Sequence, residues 1–294
     1  SKIGEDGKIT TPYDSQEEVY NKFFEELDGA IAVLTENRNA ALVASADFVY
    51  SGNVQKWCKF ANSLKLRLAI RIAYANPSKA KEMAESAVKQ EMGLIESNED
   101  NAKWNYFGTL PNPIYTAVRY NEEKTGGDTH AAADIICYMN GYDDNRRASY
   151  FEKSKWEEQA YVGLRRSINL AKMGDYFSNY STIKMKSSDP VLWMNAAEVA
   201  FLRAEGKAIF NFDMGGEAGN FYNQGIRLSF EQWGAAGADN YMEDAISKPA
   251  TYKDPSGVYT YEGTLSEITV KWDEAATPAE KQERIITQKW IANW

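Results

Sequence analysis

Forty-two acidic side chains and a single histidine bound the chemistry open to this 294-residue chain. Two carboxylates facing each other across a sugar can act as acid and base in glycoside hydrolysis. No motif here singles out such a pair, so the chain reads as a protein that is not an enzyme. Zinc hydrolysis and Ser–His or Cys–His nucleophile chemistry need at least one well-placed histidine. His130 stands without a partner motif, in what reads as the first turn of a helix. Cys58 and Cys137 fall in apolar helical contexts and read as buried free thiols, with a disulfide as the alternative. Asp143-Asp144-Asn145 brings oxygens together without EF-hand spacing and reads as solvated surface. Gly126-Gly127-Asp128 and Gly215-Gly216 lack Walker or Rossmann spacing and read as turns. Arg67 and Arg71, four apart on one helix, suit either an anion or salt bridges to acidic residues of the scaffold. No cofactor and no metal is expected.

The aromatic content points elsewhere. There are 8 Trp, 18 Tyr and 12 Phe, many of them in loops rich in Gly, Asn and Asp. Sugar recognition uses flat aromatic faces against the apolar faces of pyranose rings, with planar polar side chains reading the hydroxyls. Trp104, Tyr106 and Phe107, flanked by Asn101 and Asn105, supply that chemistry in one loop. The alternative is that these rings plug the loop onto the scaffold. Tyr142, Tyr150 and Trp156, near Asp143, Asp144, Asn145, Arg146 and Arg147, form a second candidate cluster. Its alternative is a surface loop with local ion pairs. Trp57, Trp193 and Trp233 read as core residues of amphipathic helices.

Helical periodicity must position these loops. Asp14 or Ser15 caps a first helix whose apolar face is Val19, Phe23, Leu27, Ile31 and Leu34. A turn ending at Gly52 leads into a helix from Val54 to about Ala75, and Pro77 opens the next. Residues 96–128 lack sustained periodicity, a helix is expected near Thr129–Met139, and 140–180 is again rich in loops. Further helices are expected over about Pro190–Phe210, Glu217–Trp233, Asp239–Ser247, Leu265–Trp272 and Pro278–Trp294. Trp57-x2-Phe60-Ala61-x2-Leu64 and Trp193-x2-Ala196-Ala197-x2-Ala200 share the spacing of a tetratricopeptide first helix. An ordinary set of amphipathic helix pairs remains the alternative.

The 44% hydrophobic and 26% charged content is that of a globular chain. No apolar run approaches the roughly 18 residues of a membrane span. The net charge of −9 argues against nucleic acid as a partner. No leader is visible at Ser1, and the chain stops within a helical pattern, so it reads as a piece of a longer protein.

Several segments together resemble the SusD/RagB family, specifically its SusD-like branch. They are 46–53 (ADFVYSGN) leading into Trp57–Ile72, Tyr161–Leu164, Ala197–Glu205, Tyr222–Trp233 and Arg284–Ala292, and they occur in the family's order. The resemblance implies an all-α fold: a tetratricopeptide-like helical-repeat scaffold with long aromatic-rich loops forming a binding surface. Residues 1–294 would be a single SusD-like domain, incomplete at both termini. It further implies a surface-exposed glycan-binding lipoprotein of the outer membrane, anchored through a lipidated N-terminal Cys that is absent from this chain. Such a protein delivers oligosaccharide to a TonB-dependent, SusC-like transporter. A minority of the family handle peptides, so the same fold binding peptide or another polymer stays open. A helical-repeat scaffold that binds only protein is the third possibility.

Overall fold

The computed structural model describes residues 13–106, 110–119, 129–169 and 178–294. Among these, ten helices surround one two-stranded antiparallel sheet. The helices are α1 Gln16–Glu36, α2 Val54–Arg71, α3 Pro77–Lys89, α4 Pro113–Arg119, α5 Ala133–Gly141, α6 Arg147–Tyr150, α7 Ala196–Phe210, α8 Ala218–Gln232, α9 Ala238–Met242 and α10 Pro278–Ala292. The strands are β1 Ala102–Trp104 and β2 Val191–Met194.

Local chemistry starts most of the long helices. At α1, the Glu18 N–H donates to Ser15 Oγ (3.2 Å) while the Ser15 N–H donates to Glu18 Oε2 (2.9 Å), a reciprocal capping box. Thr277 and Glu280 repeat the arrangement at α10, with Pro278 in the first turn. Asn53, Asn76 and Asn195 cap α2, α3 and α7 by accepting an N–H from three residues on. The gap at Gly215-Gly216 does separate α7 from α8.

The packing follows pairs: α1 with α2, α2 with α3, α7 with α8, and α10 across α7 and α8. α2 also touches α7, which joins the two helix pairs into one core. Cys58 and Cys137 are buried free thiols. Burial, helped by nearby Asp134, pushes the Cys137 thiol up to about 12, so it stays protonated and inert.

Four expectations change. The helix expected from Pro190 begins at Ala196, because residues 191–194 (VLWM) pair with β1 instead. Trp193 therefore stands on a strand and is 40% exposed, not in a helical core. Residues 265–272 hold no helix. α5 starts at Ala133, so His130 precedes it rather than lying in its first turn. Gly126-Gly127-Asp128 lie outside the described residues. No helix of the described residues is long and apolar enough to cross a membrane.

Candidate functional site

β1 and β2 are short, but they bring two tryptophans together. Trp104 faces Val191 in the antiparallel register, and Trp193 is the extra residue of a bulge between the Leu192–Lys103 and Met194–Ala102 pairs. Their rings sit 5.6 Å apart at 33°. Phe48 stacks edge-on against the other side of Trp104 at 5.3 Å, and Phe60 lies 6.2 Å from Trp193. Trp57 and Tyr50 continue the array inward. Phe48 (38%) and Trp193 (40%) keep much of their ring surface in water, so the array ends in an open aromatic face.

Asp47 holds Phe48 in place. Its Oδ1 accepts the N–H groups of Val49 (3.0 Å) and Tyr50 (3.1 Å). Its Oδ2 accepts the Gly52 N–H (2.7 Å) and Trp57 Nε1 (2.8 Å). Gly52 has φ of 86°, and a Cβ there would lie 2.4 Å from the Leu42 carbonyl oxygen, so only glycine fits this turn. Asn105 closes the turn from the other side, with its N–H (3.0 Å) and its Nδ2 (3.1 Å) both donating to the Phe48 carbonyl.

Burial pushes the Asp47 carboxyl up, but the four N–H donors outweigh it and hold its pKa below the usual carboxylate range. A depressed carboxylate contributes stability that is present above its unfolded pKa near 4 and is lost as pH falls through the folded value. Asp47→Ala is therefore expected to cost about 2 kcal/mol at neutral pH. Urea denaturation of both proteins should show that gap narrowing as pH falls below about 4. A gap independent of pH would mean that the carboxylate charge contributes nothing.

A cleft of about 770 Å³ opens beside the array, and Trp193 belongs to both. Arg67 fixes that junction. Its Nε and Nη2 grip Glu198 at 2.7 and 2.6 Å, and Nη2 also donates to the Trp193 carbonyl at 3.0 Å. Asn112 pins the far wall, donating to the Asp189 and Ser187 carbonyls at 2.8 Å each. Val191, Leu192 and Ile183 make much of the wall apolar, while Arg71, Lys103 and Lys184 add charge. A concave, largely apolar cleft with a few convergent polar groups, next to exposed rings, suits an organic ligand with both flat apolar and hydroxyl-bearing faces.

The residues proposed from the sequence fall out unevenly. Trp104 and Asn105 lie in the array, and Tyr106 follows them, half-buried. Phe107 lies outside the described residues. Of the second cluster, Tyr142 (2%) and Tyr150 (1%) are both buried in the core. Their hydroxyls donate to the Ile268 (2.7 Å) and Ile291 (3.0 Å) carbonyls, and Tyr150 also lines the floor of the cleft. Trp156 is half-buried against Val162 and Tyr180. Asp144, read as solvated, is buried against Arg146, whereas Asp143 stays exposed and pairs with Arg147 at 2.8 Å. Of the two arginines on α2, Arg67 is salt-bridged as expected. Phe48 and Trp193 were missed as site residues. The β-prone run Val191-Leu192-Trp193-Met194 after Pro190 was the signal that could have placed Trp193 on a strand.

The family model described as "SusD-like: Susd and RagB outer membrane lipoprotein" matches residues 1–294. A SusD homolog of known structure from Bacteroides uniformis is 75% identical, with a TM-score of 0.95 over 100% of this chain and 60% of its own. Another, from Bacteroides thetaiotaomicron, is 45% identical, with a TM-score of 0.86 over 96% of this chain and 58% of its own. A chitin-binding SusD homolog from Flavobacterium johnsoniae is 40% identical, with a TM-score of 0.90 over 100% of this chain and 60% of its own. The chain thus spans about three fifths of the length of these relatives. No curated protein matches it. The tetratricopeptide-like helical fold expected from the resemblance is the fold of these neighbours.

Proposed function

The chain belongs to the SusD-like family, a family of binding proteins whose model describes outer membrane lipoproteins, and from that premise we propose that it captures an oligosaccharide. The observation that carries this reading is the exposed aromatic face of Phe48, Trp104 and Trp193 at the edge of the 770 Å³ cleft. Rings of this kind stack on the C–H faces of sugars, and the neighbouring polar side chains read hydroxyl groups. The chitin-binding relative supports a glycan as the ligand class. In this reading the protein is lipid-anchored at the cell surface and hands its ligand to a TonB-dependent, SusC-like transporter, as its family does in general.

A glycan array and affinity gels test the proposal with the folded protein and three variants. Trp193→Ala and Trp104→Ala are expected to weaken binding at least about tenfold, as loss of a central aromatic anchor does. Unchanged melting curves would separate lost binding from lost folding. Loss of binding in Trp156→Ala alone would move the site to the loop near Tyr180. Absence of binding to any glycan by the intact protein would overturn the reading.

A further inference from the structure

Charge in the cleft runs against charge on the chain. The protein carries a net charge of −9, yet among the described residues the cleft is lined by Arg67, Arg71, Lys103 and Lys184 against two acidic side chains, Asp189 and Glu198. Both carboxylates are already engaged: Glu198 by the Arg67 fork, and Asp189 by the Lys186 N–H at 2.8 Å. Lys184 is also committed, donating to the Ala148 carbonyl at 3.0 Å. Arg71 and Lys103 are different. Among the described residues, neither the exposed Arg71 side chain nor the half-buried Lys103 side chain has a hydrogen-bond or ion-pair partner.

The two cations reach the cleft from separate elements. Arg71 ends α2, one turn after the paired Arg67. Lys103 is the middle residue of β1, half-buried and paired in register with Leu192, so its stem lies among apolar neighbours. Burial pulls its ammonium below the usual lysine range, with no nearby carboxylate restoring it. A half-buried cation with no carboxylate beside it gains when an anionic group joins it. A structural alternative exists, since a lysine can lay its stem on apolar surface and keep its head wet. The concentration of free positive charge in a concave site of an acidic protein favours the ligand explanation.

We propose that the glycan held in this cleft is acidic, its carboxylate or sulfate group received by Lys103 and Arg71 while a sugar ring stacks on Trp193. This deepens the glycan-capture reading and rests on it. A planar guanidinium matches either anion through two parallel hydrogen bonds, and the ammonium adds a point charge.

Isothermal titration calorimetry with four defined oligosaccharides tests the assignment. Oligogalacturonate carries only carboxylates, sulfated galactan oligosaccharides only sulfate, chondroitin sulfate both, and chitin oligosaccharide neither. Binding of at least one acidic probe is expected, weakened about ten- to hundredfold by Lys103→Met and by a smaller factor by Arg71→Gln. Lys103→Arg should retain most of the affinity, and raising salt from about 0.15 to about 1 M should weaken binding. The two single-anion probes identify which group is read. Binding confined to chitin oligosaccharide would overturn the acidic assignment and leave glycan capture intact. So would acidic binding indifferent to Lys103→Met, Arg71→Gln and salt. Failure of every probe, alongside failure of the wider glycan array, would overturn both.

Discussion

Asp144→Ala is expected to lower the free energy of unfolding by about 3–5 kcal/mol, the loss expected when one partner of a buried ion pair is removed. Asp144 and Arg146 are both fully buried. Arg146 donates Nε to Oδ1 of Asp144 (2.9 Å) and Nη2 to Oδ2 (2.5 Å). The same guanidinium reaches Ser229 Oγ (2.9 Å) on α8, Tyr241 Oη (3.3 Å) on α9 and Gln288 Oε1 (3.1 Å) on α10. It also lies 4.6 Å from the Phe230 ring centroid. One side chain thus ties the loop before α6 to three other helices. Without Asp144 the charge stays buried and uncompensated, which is why the cost exceeds that of an ordinary hydrogen bond.

Equilibrium urea denaturation measures the loss. The double variant Asp144→Leu/Arg146→Met should recover more than half of it, because it buries no charge at all. A cost below about 1 kcal/mol for Asp144→Ala would show that the network contributes little. The cleft is lined by Gln232 and Trp233 at the end of α8, so a loosened network should also weaken any binding there.

The second large effect concerns Gly225, where α8 crosses α7. A Cβ at this position would lie 2.7 Å from Phe201 Cζ and within 2.9 Å of two more ring atoms. Phe201 is fully buried and stacks edge-on with Tyr222 at 6.0 Å, so its ring has no room to yield. Gly225→Leu is expected to cost about 3 kcal/mol or more, at the upper end of overpacking penalties. Gly225→Ala should also destabilise, although alanine is the better helix former by about 1 kcal/mol. Combining Gly225→Ala with Phe201→Leu should give a smaller loss than the two changes summed. Gly29 of α1 is the internal control: nothing lies within 4 Å of a Cβ there. Gly29→Ala should stabilise by about 1 kcal/mol. Thermal melts of these variants and of Phe201→Leu alone decide it, and a stabilised Gly225→Ala protein would refute the close helix approach.

These predictions divide according to where their information lies. The helix starts at Ser15, Asn53, Asn76 and Thr277 were legible because a cap joins residues only three apart. Gly225 was legible only as a residue in a helix that resembles its family, since its partner Phe201 sits on another helix. Tyr150 and Trp104 look alike in sequence, each an aromatic beside polar residues. Tyr150 is buried with its hydroxyl on the Ile291 carbonyl of α10, whereas Trp104 borders an open face. Trp193 shows the same difficulty in reverse, because its helical spacing relative to Ala196 and Ala197 lost to pairing with β1.

The sequence by itself determined the helical class, the starts of α1, α2, α3 and α10, the acidic net charge and the family, because these depend on composition, short-range hydrogen bonds and ordered segments. Tertiary structure alone decided which rings face water and which cations go unpaired. Arg67 finds Glu198 from 131 positions away and leaves Arg71, one turn further on, without a partner among the described residues. Burial and ion pairing are properties of contacts between distant segments, and no local pattern encodes which of two similar side chains the fold will cover.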